Sequence, residues 1–167
     1  MIASDIHGSA FYCRKMLDVY ESSKAAKLIL LGDILYHGPR NDLPRDYAPK
    51  EVAAMLNRMK SDLLCVRGNC EAEVDQMMLE FPVMADYMVM WLDGHMVFAT
   101  HGHTYNCGNV PPLGKGDILL YGHTHVPAIT DMGDYRYLNP GSVSIPKENS
   151  PHSYMMYENG DYNLYSL

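Results

Sequence analysis

Short apolar stretches of this chain end, five times over, directly in metal-type side chains, and that recurrence restricts the fold more than any other feature. Asp5 and His7 follow Met1-Ile2-Ala3, Asp33 follows Leu28-Ile29-Leu30-Leu31, and Asn69 follows Leu63-Leu64-Cys65-Val66. His101 follows the stretch 95–100, and His123 with His125 follow the stretch 118–121. Continuous apolar runs of this length read as strands buried on both faces. In open α/β sheets the crevice beyond the carboxyl ends of strands brings together residues distant in sequence. Gly8, Gly32, Gly68, Gly102 and Gly122 accompany the clusters, permitting backbone turns and leaving room for a substrate.

Taken singly, each cluster has a plain structural reading. Asp-x-His suits a capping turn before a helix, Gly32-Asp33 a turn, and Gly68-Asn69 a left-handed loop. Five separate loops carrying such residues at the same edge of a sheet form a pattern that turns alone do not require.

The intervening segments fit an α/β assembly. Cys13, Met16, Leu17 and Tyr20 mark one face of a helix that Ser9 caps. Pro49 starts a second helix with Val52, Met55, Leu56 and Met59 facing the core, after an exposed loop from His37. Val74, Met77, Met78 and Phe81 predict a third helix. Asp93-Gly94 joins strands 87–91 and 95–100 as a hairpin, and Asn159-Gly160 joins 154–158 to 162–167. Further strands are expected at 118–121, 126–130 and 135–139, with a turn at Gly133-Asp134. Met1-Ile2-Ala3 is too short for a buried strand of ordinary length, so an earlier natural start is expected.

The 167 residues suggest one domain over 1–167, and 47% hydrophobic with 20% charged residues exclude a disordered or fibrous chain. A net charge of -7 disfavours long nucleic acid and anionic membranes. Any phosphate-bearing substrate then needs a local cationic site. Without an apolar run of membrane-spanning length or a secretion signal, a cytoplasmic protein is expected. Cys13, Cys65, Cys70 and Cys107 contain no C-x-x-C pair, so reduced thiols are expected in place of a disulfide framework or zinc ribbon. The 13 methionines are read as core fillers.

Asp5-Ile6-His7-Gly8, Gly32-Asp33-Ile34, Gly68-Asn69-Cys70-Glu71, His101-Gly102-His103 and Gly122-His123-Thr124-His125 together resemble the calcineurin-like metallophosphoesterases. Within that superfamily the chain is similar to small bacterial and archaeal phosphodiesterases, over nearly its whole length. Asn139-Pro140-Gly141-Ser142 also resembles a motif of these enzymes, although it reads equally as a strand-ending turn.

The resemblance implies a four-layer αββα sandwich of two mixed β-sheets flanked by helices. It also implies two divalent metal ions bridged by Asp33, with Asp5, His7 and His125 completing one site and Asn69, His101 and His123 the other. Imidazole, carboxylate and amide donors suit manganese first, with iron, nickel, cobalt or zinc as substitutes. Two such ions and two ionised aspartates leave about two formal positive charges. A hydroxide shared by the ions is expected to attack phosphorus in line, without a covalent protein intermediate. The expected substrate is a small or nucleotide-like phosphodiester, with Asp33, Asn69, Cys70 and His101 in the catalytic group.

Cys70 is the informative departure, since much of the superfamily has histidine after the asparagine. A thiol of ordinary pKa near 8.5 is a weak donor without an imidazolium charge. Leaving-group stabilisation then falls to the metals, favouring diesters with good leaving groups; small phosphodiesterases resembling this chain also have cysteine here. His103 and Arg67 are candidate substrate-binding residues, with His37 and Arg40 behind them, while Glu71 accepts a hydrogen bond nearby. His95 and His152 fall outside the site.

The competing readings are a phosphomonoesterase or nucleotide pyrophosphatase on the same fold, or a noncatalytic scaffold resembling a retromer subunit. A DNA nuclease of the superfamily ranks low because the chain is acidic and compact. Tyrosines in the C-terminal strands mark either a homo-oligomeric interface or buried sheet faces.

Overall fold

The computed structural model describes residues 1–167, and its strands form two five-stranded mixed sheets with three helices. Ile2–Ala3 (β1), Leu28–Leu30 (β2) and Leu63–Cys65 (β3) run parallel in the first sheet. Ser153–Glu158 (β9) pairs antiparallel on the other side of β1, and Asp161–Ser166 (β10) pairs antiparallel with β9, giving the order β10-β9-β1-β2-β3. The second sheet comprises Tyr87–Leu92 (β4), His95–Thr100 (β5), Asp117–Tyr121 (β6), Ala128–Asp131 (β7) and Tyr135–Asn139 (β8), in the order β4-β5-β6-β8-β7. Within it β5, β6 and β8 are parallel, while β4 and β7 pair antiparallel at the two edges.

The apolar run 28–31 shows why the sheets stack. Leu28 and Leu30 enter the core beneath the helices, whereas Ile29 and Leu31 face the second sheet with Val97, Ala99, Ile118, Leu120 and Leu138. Alternate side chains thus feed two cores, so a strand buried on both faces reads as unbroken hydrophobicity. A smaller cluster of Phe98, Leu119 and Tyr121 lies on the far face of the second sheet beneath Tyr105, Cys107 and Leu113. The irregular segment 101–116 is the outer layer there, because all three helices precede β4.

Ser9 caps α1 (Ala10–Ser23) as expected: its hydroxyl accepts from the Tyr12 amide at 3.3 Å. Ala10, Cys13, Met16, Leu17 and Tyr20 form the buried face of that helix. Pro49 occupies the first turn of α2 (Pro49–Asn57), which buries Val52, Ala53 and Leu56. Asp93-Gly94 and Asn159-Gly160 turn with positive φ at both central residues, the geometry that matches strand twist in two-residue hairpins.

Three expectations are corrected. α3 (Glu73–Met78) is only six residues long, and Val74, Met77 and Met78 are exposed while Asp75 turns inward to accept from the Ala72 amide at 2.7 Å. Phe81 reaches the core only after that helix has ended. β7 begins at Ala128 in place of Val126, because His125 is left-handed and Pro127 has no amide hydrogen for the ladder. β1, despite its two residues, is a buried central strand: the amides of Ile29 and Leu31 donate to the carbonyls of Met1 and Ala3. Methionine divides between roles, with Met16 and Met155 fully buried and Met77 84% exposed.

Candidate metal centre

The carboxyl ends of β1, β2 and β3 in one sheet and of β5 and β6 in the other open onto the same rim, where Asp5, His7, Asp33, Asn69, His101, His123 and His125 converge. Asp5 Oδ1 lies 3.2 Å from His125 Nε2 and 3.5 Å from His7 Nε2, and the two imidazole nitrogens are 3.4 Å apart. On the other side His101 Nε2 is 3.1 Å from both Asn69 Oδ1 and His123 Nδ1. Asp33 Oδ2 stands between the groups, 3.7 Å from His7 Nε2 and 3.5 Å from His101 Nε2.

Hydrogen bonds behind these atoms orient the imidazoles. The Nδ1–H groups of His7, His101 and His125 donate to the carbonyls of Tyr36 at 2.8 Å, Leu31 at 2.7 Å and Ile145 at 2.5 Å. Each ring is thereby held in the tautomer that presents a lone pair at Nε2. Those lone pairs meet carboxylate oxygens and an amide oxygen, and Asp5 Oδ1 is buried without a hydrogen-bond partner. Acceptors facing acceptors in a buried cluster fit cations, so the residues suit a pair of divalent ions.

The backbone is bent to make this convergence. Asp5, His7, Asp33, His123 and His125 have φ between 49° and 62°, the left-handed region that is uncommon for non-glycine residues. The clusters are then stitched together. Glu71, buried, accepts from the amides of Asp33 (2.9 Å), Ile34 (2.7 Å) and Gly68 (2.5 Å), and Asp33 Oδ1 accepts from the Cys70 amide at 2.9 Å. The Asp33 and Asn69 loops pack so closely that a Cβ on Gly68 would sit 2.1 Å from Asp33 Oδ1. The segment resembling a family motif adds a clamp: Ser142 and Ser144 hydroxyls donate to the Asp5 carbonyl, while Asn139 Nδ2 donates to Gly122 and Thr124 beside the histidine loop.

Electrostatics follow the same division. Burial alone would raise the Asp5 carboxyl, but the His125 and His7 imidazoles hold it well below the usual carboxylate range. Burial works against a charged His7, yet Asp5 and Asp33 outweigh it and raise its pKa. His123 goes the other way, lowered to about 4 by burial and by His101. Burial and Asp33 push the Cys70 thiol far up, so it stays protonated.

Arg67 is half-buried, with Nη2 donating to the Glu71 carbonyl at 3.4 Å and a buried Nε that has no partner. The exposed His103 ring lies 5.5 Å from that of His101 and 6.3 Å from that of His123. A small polar cleft at the centre itself, reached by Asp33, Asn69, His123 and His125, is also lined by Arg40, Asn41, Cys70 and Lys147. Lys147 is absent from the sequence-based candidates, since a lysine in a loop carries no pattern; its backbone amide reaches the His125 carbonyl at 3.3 Å. His37 packs edge-on against Tyr36 and Tyr47, and His152 stacks on Tyr12 away from the centre.

The sequence profile of the calcineurin-like phosphoesterase superfamily domain matches residues 1–161. The chain belongs to this superfamily. It is 48% identical over 159 residues to phosphodiesterase YfcE of Escherichia coli strain K12, an alignment covering 95% of this chain and 86% of that protein. The solved structure of the E. coli phosphoesterase Yfce superposes with a TM-score of 0.94 at 47% identity, covering 95% of this chain and 87% of that one. Vacuolar Protein Sorting 29 from Cryptosporidium parvum shares the fold, with a TM-score of 0.57 at 17% identity over 98% of this chain and 93% of that one. Membership of the superfamily implies divalent metal ions, and no helix is long and apolar enough to cross a membrane.

Proposed function

We propose that this protein is a metal-dependent phosphodiesterase hydrolysing small or nucleotide-like phosphodiesters. Asp5, His7, Asp33 and His125 form one metal site in this reading, and Asp33, Asn69, His101 and His123 form the other. The observation that carries it is Asp33 Oδ2 standing between two clusters of oriented donor atoms. Divalent ions bound there, manganese in preference to iron, nickel, cobalt or zinc, supply Lewis acidity and a lowered pKa for water.

The protein's own groups position the reactants. Asp33 fixes the spacing of the two sites, and the carbonyls behind His7, His101 and His125 hold each lone pair on target. Asn69 contributes a neutral oxygen, which preserves more positive charge for the phosphoryl oxygens than a further carboxylate would. Arg67 and His103 bind those oxygens. Arg40 and Lys147 have no carboxylate partner within salt-bridge distance and line the polar cleft. This local cationic patch answers the net charge of -7, which disfavours long nucleic acid. The whole chain, 1–167, acts as one catalytic unit in the cytoplasm.

Stripping the protein of metal and reloading ions singly, with diesters, monoesters and cyclic nucleotides as substrates, tests the reading. Manganese-dependent turnover of diesters above monoesters is expected. Preferential monoester turnover would replace it with a phosphatase, and tight metal retention without turnover of any ester would replace it with a scaffold.

A further inference from the structure

The exposed apolar face of α3 borders a groove of about 450 Å³ that shares Cys70 with the metal centre. Tyr36, Tyr47, Val74 and Met78 supply its apolar walls, with Lys50 and Asp75 as its charged lining residues. Two hydrogen bonds fix it to the centre: the Tyr36 carbonyl accepts from His7 Nδ1, and the Cys70 amide donates to Asp33. Cys70 Sγ lies within 4.8 Å of the nearest donor atoms of His7 and Asp33. The tyrosine rings are braced as well, each meeting the His37 ring edge-on at 4.7 and 5.2 Å.

From this continuity we infer that the groove is the subsite for an aromatic ester arm of the substrate. The inference rests on the phosphodiesterase reading and makes the preferred substrate an asymmetric diester. Its flat, uncharged arm lies against Tyr36, Tyr47 and Met78, and its polar or anionic arm lies toward Arg40 and Lys147. The volume falls within the range of small-ligand sites, and an apolar lining beside a few polar groups is the usual composition of one. It also gives Cys70 a second role: a neutral thiol forms the wall between a charged centre and an apolar groove, where an imidazolium would place charge. The exposure of Val74 and Met78 on the apolar face of α3 follows from the same arrangement.

Binding and turnover test the groove together. In the manganese-loaded protein, 1-naphthylphosphonate is expected to bind at least about tenfold more tightly than methylphosphonate by calorimetry, a ratio set by apolar burial alone. Phenyl 4-nitrophenyl phosphate should exceed methyl 4-nitrophenyl phosphate in kcat/KM, the leaving group being the same. Met78→Glu should bring both ratios close to one. Met77→Glu, on the same helix but outside the groove, should preserve them, and circular dichroism confirms that each variant is folded. Wild-type ratios within about twofold, or ratios unmoved by Met78→Glu, would overturn the subsite. Failure of both diesters to turn over while the naphthyl preference in binding persists would overturn the phosphodiesterase reading and leave the groove standing. Binding of neither phosphonate would overturn both.

Discussion

Asp33 engages both halves of the centre through one oxygen and receives the Cys70 amide through the other, so its charge cannot be removed without loss on both sides. Asp33→Asn is expected to lower turnover by more than about a hundredfold while circular dichroism stays unchanged, a loss above the upper end for orienting groups behind a metal ligand. Unchanged steady-state rates at limiting metal would reject the bridging role. Gly68→Ala is expected to weaken manganese binding by about 10–100-fold, since the added Cβ displaces the Asp33 carboxylate from its position. A chelator competition would measure it. Protons compete unequally with metal at this centre: His7 is raised by Asp5 and Asp33, whereas His123, near 4, is already neutral at pH 6. Manganese affinity should therefore climb by about tenfold per pH unit below the His7 pKa, with about one proton released per protein on binding, and level off above it, where none is released. A pH-independent affinity between 6 and 8 would contradict this.

At the scale of elements, the clamp from β8 into the following turn reaches the centre through hydrogen bonds alone. Ser142→Ala removes a donor to the Asp5 carbonyl and an acceptor for the Ile145 amide, both in the buried neighbourhood of His125. A loss of about 1–3 kcal/mol in urea unfolding is expected, the usual cost of leaving a buried polar group unpaired: the Ile145 amide loses its acceptor, while the Asp5 carbonyl keeps the Ser144 hydroxyl and amide. The strand ends were legible in the sequence because each combines an unbroken apolar run with a sudden polar cluster, as 28–33 and 118–125 do. α3 was not legible in the same way. Its i, i+3, i+4 spacing is real, but spacing reports that one face is apolar without saying whether the core or a groove lies opposite. β1 misled for a related reason: two residues suffice where neighbours on both sides supply the ladder. Lys147 and the carbonyls behind the histidines carry no local signature, since only the folded chain brings residue 145 to residue 125.

Across the whole molecule, the centre straddles the seam between the sheets, with Asp5, His7, Asp33 and Asn69 from one and His101, His123 and His125 from the other. Ions bound there tie the two sheets together only in the folded state. Manganese at a hundred times its Kd is expected to add about 2.7 kcal/mol per occupied site, about 5.4 kcal/mol for the pair, to stability and raise Tm accordingly, and a chelator should reverse the shift. Calorimetry showing no metal-dependent Tm would exclude binding at this seam. The left-handed residues at the centre carry a cost of their own. Five non-glycine torsions of this kind represent about 1–2 kcal/mol each, somewhat less for aspartate, which tolerates the region. Anyone hardening this protein against heat would find a large reserve of relievable torsion in the residues proposed to grip the ions, so improved endurance obtained there would be gained by dismantling the proposed centre.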